Sequence, residues 1–234
     1  MKRLPVLKQA IPAGTLSDEA YAKLEELIIT LQLPPGAAVS EAMLSQILGI
    51  GRTPVREALQ RLVRDGLIAV LPQRGTLVSE IDVAMQLRVL EVRREVERLV
   101  VRLAARRGTD EERKAFAALS ARFAATAAAA AASRVPDAKR DKAFMRADQE
   151  FNELCARASR NEFAASAIGT IHGLCRRFFY AYFRTPEVLE KTATLHAALA
   201  KAIAEADENR AVRSLDELID NNEFVTRITV SSGF

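Results

Sequence analysis

Little in this chain suits it to catalysis. It has two histidines, His172 and His196, and neither stands in a recognisable motif with a nucleophile, which argues against a hydrolase or transferase. Its two cysteines, Cys155 and Cys175, fit a reducing cytoplasm as small buried apolar groups, with a disulfide between them the less natural reading. No apolar run approaches the roughly 18 residues needed to span a bilayer, so no membrane partner is expected. Lys2, Arg3 and Lys8 are not followed by a continuous apolar segment, which argues against a signal peptide. The net charge of +4 is too small to say much about a polyanionic partner. Strand signals are negligible beyond residue 78.

What the chain does have is local. Its 234 residues, 49% of them hydrophobic, suffice for one or two cores. Positive charge gathers between residues 51 and 75, where five arginines face only Glu57 and Asp65. Within that stretch, Arg52 to Arg64 reads as a helix with Pro54 in its first turn, where a missing N–H costs nothing. Val55, Leu59, Leu62 and Val63, with Ala58 between them, form its apolar stripe. Arg52, Arg56 and Gln60 step along another face at intervals of four, with Thr53 beside them. Such a face suits a DNA major groove, because arginine forks onto guanine edges or phosphates and Thr or Gln reaches a base edge.

A shorter helix precedes it, from about Glu41 to Leu48, capped by Ser40 and turned inward through Met43, Leu44, Ile47 and Leu48. Gly49-Ile50-Gly51 makes the corner, giving helix-turn-helix geometry. Asp65-Gly66 stops the second helix. Leu67 to Leu71 and Thr76 to Val78 then flank Pro72-Gln73-Arg74-Gly75 as a β-hairpin, with Arg74 near its tip. A wing of this kind lays an arginine along a phosphate or into the minor groove. The plainer alternative is that Arg52, Arg56 and Arg74 form only a solvated surface; the ordered sequence of helix, turn, helix and basic hairpin disfavours it.

At these residues the chain resembles a known family. RTPVREAL, followed by RL, GL and a hairpin ending RG, is similar to the winged helix-turn-helix signature of the GntR transcription regulators, over about residues 15 to 80. The resemblance implies that Arg52, Thr53, Arg56 and the wing around Arg74 and Gly75 contact an operator; Ser40 and Gln60 complete the expected DNA-facing set. The family usually carries a serine before the Arg-Thr pair. Here Gly51 stands in its place.

In chain order, residues 1–14 read as a mobile arm. Ser17 or Asp18 caps a first helix running to about Gln32, with Tyr21, Leu24, Leu27, Ile28 and Leu31 on its inner face, and Leu33-Pro34-Pro35-Gly36 ends it. A winged helix-turn-helix domain therefore covers 15–80. From Asp82 onward the pattern is helical almost throughout, and the fold class is mainly α. Helices are predicted at about 82–107, 110–132, 137–158, 161–184, 186–206 and 208–229, separated at Gly108, Pro136, Ser159-Arg160-Asn161, Thr185-Pro186 and Asp207. They form a bundle of about six helices over 81–230. The run Ala124 to Ala132 is strongly helix-forming but carries no chemistry.

This second part resembles the all-helical FCD domain of the FadR-type GntR branch, at the shorter VanR-like length. EVRREVERLVVRLAARR, ADQEFNELCARASRNE and LHAALAKAIAEADENRA carry the likeness. The family's phrases present an Asp-x-x-x-His pair, a further His, and another about 22 residues on, which together hold a divalent metal beside a carboxylate. Asp148 and His196 match, whereas Asn152 and Leu218 replace the other two, with Asn221 and Asn222 nearby. A pair four residues apart shares one helix face, and imidazole with carboxylate suits zinc, nickel or manganese. Only Asp148 and His196 remain as metal ligands.

Three readings stay open for Asp148, Asn152 and His196: a metal site, a pocket that hydrogen-bonds an organic effector directly, or remnants inside the bundle. The Glu-x-Arg phrase at Glu91 and Arg93 implies that Arg93 holds an effector carboxylate; Arg93 and Arg94 in surface ion pairs is the alternative. His172 and the aromatics of the Arg176–Tyr180 run read as packing, although Tyr180 and Tyr182 offer hydroxyls. The expectation is a cytoplasmic, DNA-binding repressor, homodimeric through the bundle and responsive to a small organic acid. The main competing expectation is a regulator with a vestigial, ligand-independent sensor.

Overall fold

The computed structural model describes residues 14–133, 135–182 and 185–231. The expected arm at 1–14 falls outside them apart from Gly14. Among the described residues there are nine helices and three short strands.

The first helix, α1 (Leu16–Ile29), begins two or three residues earlier than a cap at Ser17 or Asp18 would place it. Thr15 is the cap, and Asp18 sits at the third helical position. The Thr15 side chain accepts from Asp18 N while Asp18 accepts from Thr15 N, so two orphan donors of the first turn are satisfied together. The helix also stops sooner, because Thr30 closes it and Leu31 takes a left-handed φ of 57°. After it come β1 (Ala38–Val39), α2 (Glu41–Leu48) and α3 (Arg52–Arg64). Ser40 caps α2 as expected, accepting from Met43 N at 3.2 Å. Gly49 makes the corner with a φ of 66°, a conformation that penalises any Cβ.

The wing is β2 (Ile68–Leu71) and β3 (Gly75–Val78), antiparallel, with Leu71 opposite Gly75. β1 pairs to the other side of β3, so the sheet order is β1-β3-β2 and β3 is central. Two expected core residues are displaced. Val63 and Ile47 are 39% and 53% exposed, so the stripe of α3 is Val55, Ala58, Leu59 and Leu62, and α2 buries chiefly Leu44. These residues close a small core with Leu24 and Ile28 of α1 and Leu67, Ile68 and Val78 of the sheet.

The bundle follows as α4 (Val83–Arg107), α5 (Asp110–Ala132), α6 (Ala138–Ser159), α7 (Glu162–Tyr182), α8 (Pro186–Ala204) and α9 (Glu208–Ser231). α5 packs along α8 and α4 along α9. By length and composition alone α5 is apolar enough to cross a membrane, which the reading of unbroken runs did not anticipate. Its apolarity is largely alanine, and its large side chains Phe116, Leu119 and Phe123 are fully buried in the bundle core. Phe123, Phe144 and Phe151 surround the ring of His196, with centroids 5.0, 5.4 and 6.1 Å away.

The two domains meet along α7. Gly173 makes a close approach: a Cβ there would lie 3.2 Å from Leu67 Cδ1 and 3.3 Å from Glu25 Oε1. Arg177 donates to the Ser79 carbonyl at the end of the wing domain.

Candidate functional site

The protein has two candidate sites, one basic and exposed, the other a cavity inside the bundle. On the first, Arg52, Thr53, Arg56 and Gln60 all point outward from α3 into solvent, and Arg74 is exposed in the wing turn beside Gln73 (φ 64°) and Gly75 (φ 78°). Arg56 is not unengaged, however. Its guanidinium forks onto Glu41 of α2, with Nε and Nη2 donating at 2.8 and 3.0 Å, and this holds the Glu41 carboxyl below its usual range. Ser40 is occupied as a helix cap. Gly51, at the start of α3, contributes no side-chain cap bond.

The second site lies inside the bundle. A cavity of about 40 Å³ is lined by Arg93 of α4, Asp148 and Asn152 of α6, His172, Cys175 and Arg176 of α7, Thr192 and His196 of α8, and Asn222 of α9, with Gln86, Phe144, Met145 and Phe179. Asp148 is its electrostatic centre. Its Oδ1 stands 3.1 Å from His196 Nε2 and accepts from Asn152 Nδ2 at 3.3 Å, and its Oδ2 lies 3.9 Å from Arg176 Nε. Burial alone would raise this carboxyl; the His196 contact, with Arg176 and Arg93 nearby, outweighs burial and holds it down at about 2. The other ring nitrogen of His196 faces the Thr192 carbonyl at 2.9 Å. Both nitrogens thus face oxygen atoms, one of Asp148 and one of the α8 backbone.

Alongside sits a second polar cluster. Glu97 of α4 accepts from Arg93 Nε at 3.0 Å and lies 2.6 Å from His172 Nε2. Its other oxygen, Oε2, is buried without a hydrogen-bond partner among the described residues. Burial pushes the Glu97 carboxyl up, but Arg93 and His172 more than offset this and leave it below its usual value.

A reading head joined to a helical bundle with a charged cavity has matches among known proteins. The profile described as "Bacterial regulatory proteins, gntR family" matches residues 16–78, and that of the FCD domain matches 88–221, more than half of the chain. The chain belongs to the GntR family, with an FCD domain. It is 26% identical over 222 residues to the HTH-type transcriptional repressor RspR of Escherichia coli K12, covering 93% of each chain. It is 29% identical over 216 residues to a fatty acid metabolism regulator protein of Klebsiella pneumoniae, covering 84% of this chain and 82% of that one. An uncharacterised Streptomyces ambofaciens regulator is 47% identical, but over 66 residues, 28% of each chain. Among solved structures, E. coli McbR/YncC superposes with a TM-score of 0.73 at 20% identity, covering 93% of this chain and all of that one, which speaks for the shared fold.

The protein is therefore a DNA-binding transcription regulator of the GntR/FCD type and not an enzyme. In this regulator the donor set for a divalent ion does not fit. Asp148 and His196 stand close enough to share an ion, but Asn152 offers only an amide, and Leu218 is buried where the resemblance places a histidine. No group of three His, Cys, Asp or Glu side chains gathers among the described residues. Asp148 is moreover already matched by an imidazole and guanidinium groups, so a cation would enter against Arg93 and Arg176.

The structure separates Arg93 from Arg94. Arg93 is buried at the cavity, whereas Arg94 makes ion pairs with Asp216, Asp220 and Glu223. Tyr180 and Tyr182 are not among the cavity residues, and both cysteines are buried and free. The sequence offered no effector role for His172 and Arg176, which line the cavity, or for Glu97 in the cluster beside it. The Arg93–Glu97 spacing of four was the available signal, since it places both on one face of α4.

Proposed function

We propose that this regulator is a cytoplasmic, homodimeric repressor that binds a near-palindromic operator and senses a small organic acid in the FCD cavity. The observation that carries the acid reading is a pair of guanidiniums, buried Arg93 and partly buried Arg176, lining one cavity whose own carboxylate, Asp148, already pairs with His196. An entering carboxylate meets charge-assisted donors there without a metal bridge. Asn152 and His196 complete the effector-binding set with Arg93 and Asp148. On the DNA side, Arg52, Thr53, Arg56 and Gln60 address base edges and phosphates, while Arg74 and Gly75 carry the wing. Arg56 must exchange Glu41 for DNA. Ser40 contributes by fixing the start of α2.

Repression is supported by the likeness to the E. coli repressor RspR over nearly the whole chain. A homodimer is supported by Val92 and Leu99, 53% and 42% exposed and two turns apart on the outer face of α4. The two-fold symmetry of such a dimer is what an operator palindrome mirrors. A ligand-independent sensor is the second reading, favoured by the small cavity.

One experiment separates the two readings. A panel of organic acids, with and without zinc, nickel or manganese, is screened by melting temperature. Hits are then added to a titration of a duplex selected from random sequence. An acid at a hundred times its Kd stabilises the fold by about 2.7 kcal/mol. The expected result is a metal-independent rise with one class of acid, together with weaker DNA binding. Stabilisation without any change on DNA would favour the vestigial reading, and stabilisation by metal alone would sink the metal-free site. On the same duplex, Arg52→Ala is expected to lose about 1–3 kcal/mol.

A further inference from the structure

Between the domains lies a cleft of about 300 Å³, larger than the inner cavity. Tyr21, Glu25 and Arg61 line it from the reading head, and Gln149, His172 and Arg176 from the bundle. Tyr21 and Arg61 are settled by local contacts: the Tyr21 hydroxyl donates to Asp65 at 2.8 Å, and Arg61 donates to Asp18 at 2.7 Å while lying over the Tyr21 ring.

Arg176 is not settled in the same way. Its side chain is 11% exposed and donates to Gln149 Oε1 at 3.0 Å. It stands 3.5 Å from Glu25 Oε2 in the reading head and 3.9 Å from Asp148 Oδ2 in the inner cavity, and its buried Nε makes no hydrogen bond among the described residues. One guanidinium is thus shared, at long range, between the carboxylate of the sensing cavity and a carboxylate of α1. It forms part of the wall of both chambers.

Glu25 has few alternatives. It is buried, with Asp65 and Glu153 near enough to disfavour its charge further, and Arg176 is the cation that opposes them. The close approach of Gly173 leaves little room beside it for a replacement partner. A buried carboxylate stripped of its cation is strongly destabilising; it either takes up a proton or parts α1 from α7 to admit water, and both outcomes remove the ion pair that ties the reading head to the bundle.

We propose that the interdomain cleft is the outer chamber of the effector site, and that an effector carboxylate bound there takes Arg176 from Glu25 and so loosens the reading head. The proposal rests on the reading of the bundle as an organic-acid sensor. It adds the place of binding and the group that transmits it.

Gly169 offers a test that needs no effector. It lines the cleft on α7, two turns before Arg176, and a Cβ built on it meets nothing within 4 Å. Gly169→Glu tethers a carboxylate in the cleft of the full chain, and Gly169→Gln is the uncharged control of the same size. Hydrogen exchange of the α1 amides is then compared. The Glu variant is expected to exchange roughly threefold or more faster than the Gln variant around Glu25. With Arg176→Gln added to both, the difference is expected to vanish. Equal exchange with Arg176 present would overturn the proposal, as would a difference that survives its removal. DNA and free acids play no part, so failure here is distinct from failure of the acid screen.

Discussion

At the scale of single residues, Asp148 makes the sharpest claim on stability. Its carboxyl titrates below the ordinary value of 3.8, at about 2, so its ionised form is favoured in the folded state. Folding stability from this group is therefore complete above about pH 4 and disappears as the pH falls from there through 2. Asp148→Asn leaves His196 and Arg176 with an uncharged partner, and a loss of about 3 kcal/mol at pH 7 is expected. Urea unfolding at pH 7, 4 and 2 checks this, because the gap between variant and wild type should narrow only at the acid end. The choice of Asp148 and His196 was legible from the matching phrases, and Arg93 from its neighbour Glu91. Glu97, His172 and Arg176 were not, because their meaning arises only when α4, α6 and α7 converge. A helical period reports which residues share one face and says nothing about which face of another helix they meet.

At the scale of elements, the punctuation of the chain fixed most boundaries. Gly108, Pro136, Thr185-Pro186 and Asp207 interrupt the bundle where breakers and caps act locally, and α5 runs over the expected 110–132. Thr109 shows why that end is sharp. Its Oγ1 accepts from Glu112 N at 3.2 Å and its N–H donates to Glu112 Oε2 at 2.9 Å, while Glu112 also holds Arg160. Thr109→Ala is expected to lower stability by about 1 kcal/mol, read as a lower denaturant midpoint at unchanged slope. The misplaced start of α1 has the same physics behind it: Ser17 and Asp18 are good caps by type, but Thr15 wins because it places an acid at the third helical position. β1 was invisible for another reason. Two residues carry no alternation, and Ala38–Val39 become a strand only because β3 is there to pair with them. Ile47 and Val63 likewise follow their helices' apolar period, yet the small domain has no further layer to cover them.

At the scale of the whole molecule, the assembly remains to be tested at α4. Val92 and Leu99 lie outside the core on one face of the helix. The double substitution Val92→Glu with Leu99→Glu is expected to convert a dimer into a monomer in sedimentation equilibrium, with little change in melting of the wing domain. A mass unchanged by both substitutions would place the two-fold elsewhere. Such a monomer is also expected to lose most of its preference for paired half-sites, since each head would bind alone.

Leu218 carries a consequence for the cell. With an aliphatic side chain buried where the resemblance calls for an imidazole, the charged groups that line the cavity are Arg93, Asp148 and Arg176. On the proposed reading, a response to an acid needs no cofactor to be acquired after synthesis. A cell starved of zinc, or flooded with chelators, would on that reading still hold a competent sensor, blind to the supply of trace elements.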